Sequence, residues 1–119
     1  MVSQTEAFDL FRRWQDNRTH LRVDANFPGV SRLSIETVIA RVEEPLIGVD
    51  LSDHGYIEVL FVENWRFEFA AHDAMRNVLP DRVGASSSRL KAYEFGEIIA
   101  AMKPNHTYIV FMEIIRTVK

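Results

Sequence analysis

A chain of 119 residues with 47% apolar and 26% charged side chains has the composition of one soluble globular domain, residues 1–119, with enough core to fold without staples. The absence of cysteine removes disulfides, thiolate metal ligands and a thiol nucleophile. Net charge is −3, and six of the 17 acidic residues (Glu43, Glu44, Asp50, Asp53, Glu58, Glu63) share a stretch with no Lys or Arg. Nucleic-acid binding relies on a basic face that displaces counterions, so no DNA partner is expected and RNA is disfavoured. The longest apolar runs, such as Tyr108–Met112, fall far short of the roughly 20 residues that span a bilayer, so no membrane partner is expected. The first residues lack a basic segment followed by an apolar one, and the expected location is the cytoplasm.

The first element predicted is a helix over 4–17. Ser3 and Glu6 have the spacing of a capping box, and Ala7, Leu10, Phe11 and Trp14 fall on one stripe, with Arg12, Arg13, Asp16 and Asn17 facing away. A four-turn helix is marginal alone in water, so this stripe must lie on something apolar.

Strands follow. Leu21, Val23, Ala25 and Phe27 alternate with Arg22, Asp24 and Asn26, predicting a strand over 20–27 that ends at Pro28-Gly29. A longer strand covers about 32–43, with a shift of phase near Val38-Ile39 that predicts a bulge or bend. Glu44-Pro45 interrupts it before a third strand over 46–51. Ser52-Asp53-His54-Gly55 reads as a hairpin loop, and Tyr56–Val62 and Trp65–Ala71 as a second hairpin around Glu63-Asn64. Trp65, Phe67 and Phe69 alternate as core residues do. Five short strands with tight connections predict a strongly curved antiparallel sheet or small barrel over about 18–71, with 72–119 as a C-terminal extension.

In that extension, Ala74, Met75, Val78 and Leu79 fit a helical turn, and 81–89 reads as a loop around Ser86-Ser87-Ser88. Phe95, Ile98, Ile99 and Met102 predict a helix over 90–103, although Gly96 weakens it and Lys103–His106 reads equally as the turn of a β-hairpin. The last strand covers about 107–118. The fold class expected is α+β: an N-terminal helix on a curved sheet of about five strands, then a C-terminal helix and strand.

Two strands are apolar on both faces. Ile57, Val59 and Phe61 oppose Tyr56, Leu60 and Val62, while Tyr108, Val110, Met112 and Ile114 oppose Ile109, Phe111 and Ile115. Such strands are covered on both sides, by the chain's own helices or by a second subunit. Tyr108, Ile109, Phe111 and Ile115 are accordingly candidates for a homo-oligomeric interface.

Chemistry is sparser. His20, His54, His72 and His106 have no ligand spacing, so no metal is expected, and the isolated glycines cradle no phosphate. No cofactor is expected. Asp53-His54 and His72-Asp73 are candidate ligand or acid–base pairs, the basis of an alternative reading as an enzyme or small-ligand protein. Arg12, Arg13, Arg18 and Arg22 are interleaved with Asp9, Asp16 and Asp24, which reads as surface ion pairing.

An N-terminal amphipathic helix followed by five short strands, the second bent, resembles the Sm-like and SH3-like small barrels over residues 4–71. Leu33–Val42 lacks the Sm glycine, and Glu43-Glu44-Pro45 stands in place of its Asp/Asn turn, so no RNA-binding residue carries over. The resemblance implies strand-edge assembly into oligomers, with nucleic-acid or peptide binding. The leading expectation is a non-catalytic binding or assembly module acting as a homo-oligomer, its ligand unidentified, with a Sm-like RNA-binding protein as a further alternative.

Overall fold

The computed structural model describes residues 2–29, 31–50, 55–62, 65–70 and 93–117. Helix α1 (Gln4–Asp16) begins where Ser3 Oγ accepts the Glu6 N–H at 3.1 Å, and the Ser3 hydroxyl donates to the Glu6 carboxylate at 3.2 Å. Ala7, Leu10, Phe11 and Trp14 are buried as the stripe requires, and Phe8, beside it, is fully buried as well. The strands are β1 (Leu21–Phe27), β2 (Ser31–Thr37), β3 (Ile39–Glu43), β4 (Leu46–Asp50), β5 (Tyr56–Leu60), β6 (Arg66–Ala70), β7 (Tyr93–Met102) and β8 (Tyr108–Thr117).

These strands form two antiparallel sheets, a five-stranded one in the order β2-β1-β8-β7-β6 and a three-stranded one in the order β3-β4-β5. Neither is closed or curled, which corrects the expectation of a small barrel. The phase shift at Val38 is where the chain leaves one sheet for the other: Val38 belongs to neither, and its carbonyl accepts the Asp50 N–H at 3.1 Å. The second hairpin is also corrected, because β5 and β6 lie in different sheets and do not pair. No helix occupies 93–102; that segment is β7, paired with β8. The hairpin reading of Lys103–His106 is the one that holds. The Lys103 N–H donates to the Thr107 carbonyl at 2.8 Å, and His106 takes the left-handed conformation, φ 66°, that closes such a loop. The helical turn and loop expected over 74–89 lie outside the described residues.

One row of side chains runs straight across the large sheet toward α1. Ile35 opposes Val23, Val23 opposes Phe111, Phe111 opposes Ile99, and Ile99 opposes Phe69. The next row is Leu33, Ala25, Ile109, Ala101 and Phe67. Ile39, Ile47 and Val49 from the small sheet join the same core, which α1 closes. On the opposite face of β7 and β8, Ile98, Ala100, Met102, Tyr108, Val110 and Met112 are all 6% exposed or less. Both faces of β8 are thus buried over Tyr108–Met112, while Ile115 is 54% exposed.

Phe67 and Phe69 separate sharply in this arrangement. Phe67 is 2% exposed and packs edge-on to Phe61, whereas Phe69, expected in the core, is 45% exposed. Phe67→Ala is expected to cost about 3–5 kcal/mol as a core truncation, and Phe69→Ala less than about 1 kcal/mol. Urea unfolding of the two variants checks the contrast.

Candidate functional site

The exposed ring of Phe69 lies in a cleft between α1 and the large sheet. Its volume is about 580 Å³, and Glu6, Asp9, Leu10 and Arg13 of α1 line it together with Phe69, Glu97 and Ile98. This is within the range of small-ligand sites, roughly 300–1,000 Å³. Phe69 supplies the exposed apolar surface, since Leu10 and Ile98 are 5% and 1% exposed, and the charged groups among the described lining residues are three carboxylates and one guanidinium.

Local sequence explains each wall. The helical spacing of Glu6, Asp9, Leu10 and Arg13 at i, i+3, i+4 and i+7 puts them on one flank of α1, beside the stripe that enters the core. Phe69 sits on β6, the edge strand of the large sheet. Glu97 is delivered by a break in the β7–β8 register between Phe95 and Ile98, a bulge that re-aims side chains near a site. The bulge is held by Glu113, whose Oε1 accepts the Glu97 N–H at 3.0 Å. Gly96 makes room for it: a Cβ there would collide with Glu113 Oε1 and lie 2.8 Å from Ile115 Cδ1. From this bulge the Glu97 carboxylate reaches α1 and pairs with Arg13, both side chains remaining about half exposed.

The acidic middle of the chain is partly neutralised from outside it. Arg41 pairs with Glu43 and Glu58, and Arg12 reaches Glu44 at 3.5 Å while also holding Asp9 at 3.1 Å. The hydrogen bond and charge of Arg41 hold the Glu43 carboxyl below the usual carboxylate range, and Glu43 raises the Arg41 guanidinium in turn. The stabilising share of this pair is present at neutral pH and is lost as pH falls through the lowered Glu43 value. Arg22 pairs with Asp24 at 3.5 Å, in keeping with the interleaved charges of the sequence.

Of the residues singled out from sequence, Asp53, His54, His72 and Asp73 lie outside the described residues. Tyr108, Ile109 and Phe111 are interior, at 3%, 1% and 0% exposure, and Ile115 stands 54% exposed. Among the described residues no group of three or more His, Asp or Glu side chains is placed to hold a metal ion, and no helix is long and apolar enough to cross a membrane. Sequence reasoning missed Phe69, Arg13 and Glu97 as neighbours; the one local hint was Gly96 interrupting an apolar segment. Comparison of the chain with models of known protein families, with curated proteins and with solved structures finds no match.

Gly96→Ala is expected to push the Glu113 carboxylate off the Glu97 N–H and to cost about 1.5–3 kcal/mol, the worth of a hydrogen bond to a charged group. Urea denaturation checks the value.

Proposed function

We propose that the protein is a non-catalytic binding module whose ligand is a small organic cation with an apolar body, held in the cleft between α1 and strands β6 and β7. The exposed Phe69 ring carries this reading. A phenyl ring half in water beside α1 offers apolar surface that a ligand can cover, worth about 1.5–3 kcal/mol for a side chain taken fully out of water. Glu6, Asp9 and Glu97 favour a positive charge at the rim; among the described residues Arg13 opposes it, and Asp9 already has Arg12 at 3.1 Å. An ammonium group entering there replaces Arg13 as the partner of Glu97.

Two probes of equal size and opposite charge test this by titration calorimetry. 4-Phenylbutylammonium is expected to bind the wild-type protein and 4-phenylbutyrate is not. Phe69→Ala should weaken the cation's binding about tenfold, equivalent to about 1.4 kcal/mol, while leaving the fold intact. Equal binding of both probes, or unchanged binding to the Phe69→Ala variant, contradicts the reading.

A further inference from the structure

The second doubly apolar strand of the sequence, β5, is not covered as β8 is. Tyr56, Leu60 and Val62 are 50%, 52% and 61% exposed, and they are three of the five large apolar side chains left in water among the described residues. Their strand is also an edge: among the described residues β5 pairs only with β4. The direction of its free backbone groups follows from one hydrogen bond. The Phe61 N–H donates to the Pro45 carbonyl at 2.8 Å, so alternation turns the backbone groups of Val59 and Ile57 toward β4. Those of Tyr56, Glu58, Leu60 and Val62 point outward. Exposed apolar side chains and backbone donors and acceptors with no partner among the described residues thus belong to the same edge strand, an arrangement that invites another strand.

We propose that a second copy of this chain pairs with β5, antiparallel about a twofold axis through Val59, joining the two three-stranded sheets into one. Outward groups must meet outward groups; of the registers that allow this, two put Glu58 or Val59 on the axis, and the one through Val59 matches all four outward residues. One sets Glu58 directly across from the partner's Glu58, and like charges opposed in this way are destabilising. The other sets Val59 across from the partner's Val59, Tyr56 across from the partner's Val62, and Glu58 across from the partner's Leu60. This second register separates the carboxylates, leaves each Glu58 with its own Arg41 at 3.7 Å, and gives each of the three exposed apolar side chains a cross-strand neighbour on the same face. A twofold contact needs only one self-complementary strip, and this edge is one. Tyr56 is already ordered for the role: its ring lies over Gly48, where an added Cβ would be 3.2 Å from it.

Because the chain has no cysteine, one introduced thiol reports the register. Facing Val59 residues would form a non-hydrogen-bonded pair with Cα atoms about 4.5 Å apart, inside disulfide reach. Val59→Cys is expected to give a disulfide-linked dimer under mild oxidation, and Glu58→Cys is not. Light scattering of the wild type at tens of micromolar should give twice the 13.8 kDa chain mass. Leu60→Glu, at a side chain outside the core, should give a monomer with an unchanged circular dichroism spectrum. A monomeric wild type, a Leu60→Glu variant that stays dimeric, or crosslinking through position 58 and not 59 overturns the proposal.

Discussion

The ring of Phe11 lies almost parallel to that of Phe61, with centroids 6.4 Å apart, and meets Phe111 edge-on at 5.0 Å. These contacts tie the helix to both places where the fold needs it. Phe111 sits on a central strand of the large sheet, and Phe61 stands in the passage from the small sheet to the large one. Phe61 also touches the rings of Phe8, Trp65 and Phe67, so the crossing is fixed by packing where no ladder hydrogen bonds join β5 to β6. Each such aromatic pair contributes about 0.5–1.5 kcal/mol beyond the area it buries. The helix is marginal alone and the sheets would expose Ile47, Ile99 and Phe111 without it, so the three pieces stabilise one another.

The position of α1 also decides where the molecule keeps an open apolar surface. Its buried stripe covers Phe67, and its flank, carrying Glu6, Asp9 and Arg13, runs beside Phe69 without covering it. The bulge at Gly96–Glu97 then sets a carboxylate opposite Arg13. Cleft and core are consequences of one packing geometry. A change that moves α1 moves the cleft with it.

Much of this architecture is legible in the residues. Strict alternation marks β1, the S-x-x-E box marks the start of α1, and dense β-branched and aromatic residues mark β8. The failures have a shared cause. In β7, Ile98 and Ile99 are both buried, on opposite faces, so a strand covered on both sides reads as an apolar run that helical spacing fits equally well. The phase break at Val38 is visible, yet whether it bends one sheet or transfers the chain to another depends on distant partners. The same holds for Glu63-Asn64, which has a turn's composition without making the hairpin. Phe69 alternates like a core residue and escapes burial because the helix passes beside it. Arg13 and Glu97 stand 84 residues apart, and no local pattern brings them together.

If the aromatic contacts of α1 hold both sheets, the molecule opens as one unit, and native-state amide hydrogen exchange measures this directly. The amides of Ile47 and Val49 in the small sheet and of Ile99 and Phe111 in the large sheet should share one opening free energy. In a Phe61→Ala variant both sets should fall by the same amount. Exchange of the small sheet at a distinctly lower free energy, with the large sheet unmoved by the substitution, would contradict the account.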